Sequence, residues 1–396
     1  MALAVLVTSA FAATDDGVYS GVTNRAYSPA DTNYYDGLDY GLFSNPADFA
    51  KDRFRIQGLS FDVLSFNFSN AVQNRSTAEA LSNITRFQWE RKNWITYALG
   101  LLMEVGPGYN DVIMGDVGLG AQIGNYGFGF NASTDIKSMP KIKENGELDT
   151  DSQTAMGNGY VPTINYALSF GYGRRVVDTD ALTLDVGATL HVSEKIYMLQ
   201  INYDEVSALI SRTKDFNSLK ARGGFAFPID LGVSLGLIGD RLTVNAMVNN
   251  LNGFYYMRNY ENLQSAASFS NGTDPYVIYT PWRFGASVIF DPQFKAVNPV
   301  AAIEVADAIS FFTKELKQER PMLELMKYLN ASVKVDVYDI LSIRAAYKYG
   351  YPEFGVGVGF MGSTFELVYG IHEAGSSYGN KPVDCLTMRI KLGFDR

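Results

Sequence analysis

The stretch that decides the fold is Leu386–Phe394, whose sequence is LTMRIKLGF. Its apolar residues stand at every second position, and Thr387, Arg389 and Lys391 alternate with them. A period of two is that of a β-strand, in which successive side chains point to opposite faces. The segment therefore predicts a strand with one apolar face and one polar face.

The same alternation runs through the C-terminal region Val333–Phe394, where Phe365 and Leu367 flank Glu366. Two environments explain such strands. A soluble sandwich buries the apolar face against a second sheet, whereas a transmembrane barrel turns it toward lipid and keeps the polar face around a lumen. The alternation by itself leaves both architectures open.

The composition favours one large β-structure. The 396 residues include 25 Tyr, 25 Phe and 37 Gly, and only 19% of them are charged. Aromatic residues and glycine suit strands, membrane girdles and tight turns. A formal net charge of -9 without a Lys/Arg stripe argues against nucleic-acid binding. The single Cys385 and the two histidines, His191 and His372, predict neither a disulfide nor a metal or other cofactor.

Residues 1–13 are predicted to form a signal peptide. The apolar run Ala2–Phe11 ends in the small-x-small pattern Ala10-Phe11-Ala12, although a basic segment before it is missing. No other stretch approaches the roughly 20 apolar residues of a membrane helix. An exported chain with many amphipathic strands predicts a location in the bacterial outer membrane, surrounded by its lipid.

Further alternating segments spread along the chain and are also predicted as strands. They are Phe61–Phe68, Ile95–Met103, Val117–Ile123, Tyr126–Ala132, Ile164–Tyr172, Leu182–Val192, Tyr197–Tyr203, Ile229–Leu237, Leu242–Val248, Phe284–Phe290 and Val300–Val305. Helical spacing predicts loop helices in Glu205–Leu219 and Glu304–Leu329. The polar segments Lys137–Gly159 and Met257–Pro275 are predicted as long loops.

A short helix is predicted at Ser44–Ala50, because Asn45 suits a helix cap and Pro46 suits the first turn. The element Asn45-Pro46-Ala47 follows a lead rich in Gly and Tyr and precedes the first strands. In this position it resembles the N-terminal plug of FadL-type long-chain fatty-acid transporters and of their PorV-like and TraF-like relatives. The segments Tyr347–Phe360 and Phe365–Gly370 are similar to the closing strands of that family.

The resemblance implies an all-β fold: a transmembrane antiparallel β-barrel of about 14 strands with an N-terminal hatch and short loop helices. The implied division of the chain is a hatch at 14–58 and a barrel at 59–396. Insertion by the barrel assembly machinery is implied as well.

The function implied by the resemblance is passive uptake of hydrophobic molecules such as long-chain fatty acids, without enzymatic activity. Apolar residues of the hatch region would form a dry path, and nearby cations would meet a ligand carboxylate. The predicted ligand-binding residues are Leu42, Phe43, Phe49, Phe54, Lys51, Arg53 and Arg55. The alternative is a PorV-like barrel that serves as an assembly or secretion partner and does not transport.

A third hypothesis, a membrane-embedded lipase, depends on His191 and Ser193, which lie two residues apart on one strand face, with Asn202 as a possible neighbour. Outer-membrane phospholipases place His and Ser in this way and face lipid. His191 shares its parity with Asp185 and Thr189, so in a barrel it should point into the lumen. The sequence therefore favours a hydrogen-bonded lumenal histidine.

Overall fold

The computed structural model describes residues 45–51, 53–66, 68–86, 88, 90–103, 110–143, 148–149, 158–211, 214–313, 317, 321–338, 340–348, 350–360, 363–373 and 382–395. The predicted signal peptide at 1–13 and the hatch residues 14–44 lie outside these described residues.

A closed wall of 14 antiparallel strands forms the molecule, as predicted. The first strand pairs with both the second and the last, so the sheet has no free edge. The strands are β1 Arg53–Phe66, β2 Asn110–Gly124, β3 Tyr126–Ile142, β4 Asn158–Asp178, β5 Leu182–Met198, β6 Ala221–Ala226 with Ile229–Leu237, β7 Leu242–Leu251 with Phe254–Tyr260, β8 Thr273–Tyr279 with Arg283–Phe290, β9 Val297–Val305, β10 Leu329–Val337, β11 Leu341–Lys348, β12 Tyr351–Phe360, β13 Ser363–Glu373 and β14 Pro382–Asp395. A two-residue strand, Leu148–Asp149, pairs with the end of β3.

The two faces of the wall differ as an outer-membrane barrel requires. Phe128 and Phe170 are each 47% exposed on the outer face, whereas Asn131 and Ser169 on the same two strands point inward and are buried. On β14 the same rule places Leu392 outside and Arg389 inside. An apolar face exposed all around a closed wall excludes the sandwich, which would bury it.

The connections differ in length at the two ends of the barrel. At one end, neighbouring strands are joined by short turns, such as the single residue Asn125 between β2 and β3. At the other end, β1 and β2 are separated by 43 residues that include three helices. Outer-membrane barrels have short periplasmic turns and long extracellular loops. The start of β1 and the end of β14 therefore lie at the periplasmic end.

Helices gather at the extracellular end. They are α1 Phe68–Ala71, α2 Arg75–Thr85, α3 Arg91–Met103, α4 Tyr203–Ser211, α5 Leu263–Ala267, α6 Ala308–Thr313 and α7 Pro321–Glu324, with 3-10 turns at Phe216–Ser218 and Leu325–Lys327. Leu101 of α3 and Leu209 of α4 share one buried apolar cluster with Tyr160 and Met198 of the wall. Within the described residues, every helix is too short or too polar to serve as a membrane span.

Several predicted bounds need correction. The predicted strand Ile95–Met103 lies in α3, and Tyr197–Tyr203 is the end of β5 followed by the start of α4. The predicted long loops are shorter, because β3 continues to Ile142 and β7 to Tyr260. Residues 53–58, predicted as hatch, belong to the wall. Helices do occur within both predicted loop-helix regions.

Three neighbouring strands, β6, β7 and β8, are interrupted at the same height. Gly232 pairs with Met247 on one side of the interruption, and Gly224 pairs with Met257 on the other side. Between these two pairs, the chain of β6 covers eight residues and the chain of β7 covers ten. The extra residues form a bulge in which Asn250 (φ 61°) and Asn252 (φ 62°) adopt left-handed backbone conformations. Asn tolerates this region better than most residues, so the sequence suits the bulge.

Candidate functional site

The described part of the predicted hatch, residues 45–51, is called the hatch segment below. It contains a 3-10 helix at Pro46–Ala50. The Asn45 side chain accepts a hydrogen bond from the Ala47 amide at 3.0 Å, and Pro46 occupies the first helical position. The predicted roles of Asn45 and Pro46 as cap and first turn are therefore confirmed, and Asn45, Pro46 and Ala47 are all buried.

A groove of glycines on the inner face of the wall holds the hatch segment. The Phe49 ring lies against Gly127 and Gly171, and the Pro46 carbonyl lies against Gly187. A Cβ atom at any of these glycines would overlap the hatch segment. The contact is this close because glycine lets two backbones approach. The described hatch segment thus lies inside the wall, near its periplasmic end.

Hydrogen bonds tie the hatch segment to two further strands. Asn45 Nδ2 donates to Asn245 Oδ1 on β7 at 3.3 Å. Gln122 of β2 donates through Nε2 to the carbonyls of Phe49 at 3.4 Å and Lys51 at 3.2 Å. Since these groups are buried, loss of one partner would leave the other unpaired. The hatch segment is therefore docked by both shape and hydrogen bonding.

Directly above the hatch segment, a hydrogen-bond relay links residues of β4, β5, β6 and β7 with Thr280, which lies in the interruption of β8. His191 Nδ1 lies 2.8 Å from Ser169 Oγ, and His191 Nε2 lies 3.0 Å from Asp230 Oδ2. Asp230 Oδ1 accepts from the Asn250 amide at 2.7 Å, and Asn250 Nδ2 donates to Thr280 Oγ1 at 3.0 Å. The relay runs from β4 to β8 and crosses the interruption in the wall.

The lipase hypothesis fails on this geometry. His191 faces the lumen, as its parity predicted, and its serine partner is Ser169 on β4 and not Ser193. Asn202 caps α4, where its Oδ1 accepts from the Glu205 amide at 2.8 Å. Ser169 and His191 are each only 1% exposed, so no substrate reaches the serine hydroxyl. The hydrogen bonds of Ser169, His191 and Asp230 therefore link neighbouring strands of the wall and do not form a catalytic site.

Above the relay, three rows of facing inward side chains form a polar patch on β3, β4 and β5. In the first row, Ala167 of β4 lies between Asn131 of β3 and Ser193 of β5. The next row has Asn165 between Ser133 and Lys195, and the third has Thr163 between Asp135 and Tyr197. By strand geometry the patch measures about 10 Å by 13 Å.

Beside and above the polar patch, the inner face becomes apolar. The lumenal apolar cluster consists of buried side chains from six strands, each at most 1% exposed: Met139, Val161, Tyr197, Ala226, Tyr255, Met257 and Ile278. Two cations border it: Lys195 Nζ lies 4.6 Å from the Tyr255 ring centre, and Arg222 donates to Tyr197 Oη at 3.3 Å. Sequence reasoning missed this cluster, because it assigned Tyr197 to a separate strand and not to the end of Leu182–Met198.

The predicted ligand-binding residues are not all in one place. Phe49 is fully buried between glycines, and Lys51 pairs with Asp48 at 3.0 Å. Phe54 faces Ile123 on the outer side of β1, where it is 46% exposed. Arg53 and Arg55 lie on β1. Leu42 and Phe43 lie outside the described residues.

Across the lumen, a buried ion-pair network covers β11 to β14. Glu366 contacts Arg344 at 3.6 Å and Arg389 at 3.0 Å, and Arg344 also lies 3.6 Å from Glu353. The sequence placed Arg344, Glu366 and Arg389 on the polar parity. Their mutual pairing explains how inward charges are tolerated in a crowded lumen.

A closed wall with an even number of strands, an apolar outer face and a polar inner face defines an outer-membrane β-barrel, here with a hatch segment docked inside. The protein accordingly lies in the bacterial outer membrane.

Comparison with known proteins adds the following. No protein-family model matches the chain, and no curated protein matches it. Among solved structures, the Pseudomonas putida toluene transporter TodX is similar at 12% identity and a TM-score of 0.39, over 89% of this chain and 92% of that chain. The CymD monoaromatic hydrocarbon channel is similar at 10% identity and a TM-score of 0.40, over 97% and 94%. A Pseudomonas aeruginosa FadL homologue is similar at 10% identity and a TM-score of 0.37, over 89% and 93%. The barrel assignment depends on the strand pairing described above.

Proposed function

We propose that the protein mediates passive uptake of hydrophobic molecules across the outer membrane. The observation that carries this proposal is the lumenal apolar cluster. A pore for ions or sugars keeps a polar, water-filled interior. Here Tyr255, Met257 and Ile278 point into the lumen above the relay, where an apolar ligand would exchange its contacts with water for contacts with side chains.

The hatch segment gives the path its lower end. Because it is docked against the glycine groove, a molecule that enters from outside meets the relay and Phe49 before it reaches the periplasmic end. The finer proposal, taken from the resemblance to FadL-type transporters, is that the ligand is a long-chain fatty acid. In that case Leu42, Phe43 and Phe49 would contact the chain and Lys51 would meet the carboxylate.

Uptake by reconstituted protein tests the proposal. Purified protein in liposomes should accelerate entry of a radiolabelled long-chain fatty acid compared with empty liposomes. Met257→Lys places a charge in the apolar cluster and should reduce entry strongly, since a buried unpaired ammonium is unfavourable there. Met322→Lys is the matched control, because Met322 is 73% exposed. Equal entry with and without protein would refute transport of long-chain fatty acids.

A folding check accompanies the variants. Met257→Lys must still show the different gel migration of unboiled and boiled barrel. If it does not fold, Met257→Gln replaces it, because the amide is polar but uncharged.

The second candidate is a PorV-like partner protein without transport. It is favoured by exposed apolar side chains on the extracellular segments, namely Phe312 at 63% and Met322 at 73%. Recovery of one defined secreted protein with the tagged barrel, lost in a Phe312→Ser, Met322→Ser double variant, would support it. Normal ligand entry by that double variant would instead favour transport.

A further inference from the structure

The polar patch on β3, β4 and β5 holds an unusual set of hydrogen-bonding atoms. Among the described residues, five side-chain atoms of the patch are buried without any hydrogen-bond partner: Asn131 Oδ1, Asp135 Oδ1, Thr163 Oγ1, Asn165 Oδ1 and Ser193 Oγ. Their residues are between 1% and 8% exposed. Nearly all buried polar atoms in native proteins are paired, so five such atoms on three neighbouring strands indicate a place where a ligand supplies the partners.

The neighbouring contacts fix the chemistry of these atoms. Asn131 Nδ2 donates to Asp116 Oδ1 at 2.9 Å, and because a carboxylate only accepts, the unpartnered atom of Asn131 is its carbonyl oxygen. Asn165 Nδ2 lies 3.2 Å from Ser133 Oγ, which leaves its carbonyl oxygen toward the lumen. Asp135 uses its other oxygen for Lys137. Three of the five atoms therefore only accept, and two are hydroxyls.

The cations near the patch already have partners. Lys137 pairs with Asp135, Lys195 lies over the Tyr255 ring, and Arg222 donates to the Tyr197 hydroxyl. A ligand carboxylate, which only accepts, would meet three accepting oxygens on the patch, one of them from the Asp135 carboxylate. A group with O–H donors matches them directly.

The position of the patch completes the description. It lies above the relay at the Ser169 row, and the lumenal apolar cluster borders it above at Val161 on β4 and beside it at Ala226 and Met257 on β6 and β7. A molecule with an apolar tail in the cluster would place its head group on the patch. The site thus has an apolar end and a polar end whose oxygen atoms accept hydrogen bonds.

We infer that the preferred ligand is a neutral amphiphile with a hydroxyl head group, an aliphatic alcohol or a phenol, rather than a fatty-acid carboxylate. This inference deepens the proposed function and depends on it, because it concerns the ligand of the same lumen.

Three ligands of equal chain length separate the possibilities: 1-octanol, its methyl ether and octanoate. The ether keeps the oxygen but has no donor, and octanoate carries a charge. Binding of each radiolabelled compound to the protein in lipid nanodiscs is measured against empty nanodiscs. Octanol should bind about three to ten times more tightly than the ether, the ratio expected for one or two hydrogen bonds.

The variants Thr163→Val and Ser193→Ala remove the two unpartnered hydroxyls. Since neither atom bonds to the protein, both variants should fold at least as stably as the parent, yet each should weaken octanol binding about threefold. Thr134→Val, on the outer face of β3, is the matched control.

The outcomes are distinct. Equal binding of octanol and its ether, or unchanged octanol binding by both variants, overturns the hydroxyl inference while leaving uptake of hydrophobic molecules intact. Tighter binding of octanoate than of octanol overturns it in favour of the carboxylate. Failure of every compound to bind or enter liposomes removes the proposed function itself.

Discussion

Single glycines decide where the hatch segment docks. Gly127, Gly171 and Gly187 lie on the inner face of three consecutive strands, and each approaches the hatch segment more closely than a Cβ atom permits. In the sequence these residues look like ordinary strand glycines. Their role could not be predicted, because it depends on which residues of the hatch segment lie against them in the folded protein. The sequence did indicate the other side of this contact, namely Asn45, Pro46 and Ala47.

The first prediction concerns Gly187→Val. The added side chain would overlap the Pro46 carbonyl, which is backbone and cannot rotate away. We expect docking of the hatch segment to weaken by about 1–3 kcal/mol, the usual cost of overpacking. Ion conductance in planar bilayers should rise. Gly223→Ala is the control, because its nearest neighbours lie at 3.4 Å or beyond and it faces away from the lumen. Unchanged conductance in Gly187→Val would show that the hatch segment is held elsewhere.

The second prediction concerns Asp230, the centre of the relay. Asp230→Ala removes the acceptor of the Asn250 amide and of His191, and each buried group left unpaired costs about 1–3 kcal/mol. The midpoint of urea unfolding, followed by tryptophan fluorescence in vesicles, should fall clearly. Asp178→Ala removes only an exposed ion pair with Arg175 and should change the midpoint little. A similar midpoint for the two variants would contradict a stabilising relay.

At the scale of elements, the period of two predicted the wall well and the helices poorly. Leu386–Phe394 and Leu182–Val192 alternate because lipid and lumen meet opposite faces of one strand. Ile95–Met103 contains the same kinds of residues, yet α3 packs Tyr97 and Leu101, one helical turn apart, into a single cluster. Gly100 also touches Thr77 of α2 there, a helix contact that the sequence does not reveal.

The third prediction concerns the start of α4 outside the membrane. Asn202 and Glu205 form a capping box, with the Asn202 amide donating to Glu205 Oε2 at 3.0 Å and the Glu205 amide donating to Asn202 Oδ1. The hydrogen bond from Lys214 at 2.6 Å is the main cause that lowers the pKa of Glu205. The folded pKa is below the unfolded value of about 4.3, so the stabilisation is complete above that value and is lost as the pH falls through the folded pKa.

Hydrogen exchange of the α4 amides should therefore become faster, relative to the intrinsic rate, as the pH falls below about 4.3. Glu205→Gln keeps the capping geometry without the charge and should remove this extra pH dependence. An identical pH response in the two proteins would rule out the carboxylate as its source.

At the scale of the whole molecule, closure of the barrel depends on the seam between β1 and β14. The predicted strand Leu386–Phe394 forms this seam, since Ile390 pairs with Phe61 of the first strand. The lumenal contents were much harder to predict. The alternation of side chains predicts which polar residues point inward. The contacts among Ser169, His191 and Asp230 could not be predicted in this way, because they depend on the register of three strands.

The fourth prediction tests this closure. A chain without residues 382–396 lacks β14, so β1 and β13 each lose a partner and leave unpaired backbone groups in lipid. Unboiled and boiled samples should then migrate alike on a gel. A chain without only Asp395 and Arg396 should keep the difference. A persistent difference after removal of β14 would show that another strand closes the sheet.

The interruption shared by β6, β7 and β8 has an evolutionary consequence. A one-residue insertion in a regular strand turns every later side chain to the opposite face. The bulge at Asn250–Asn252 already absorbs two extra residues on β7, and outward and inward positions stay correct on both sides of it. A gain or loss of two residues at this point over evolution would therefore keep both faces of β7, whereas a change of one residue would exchange them.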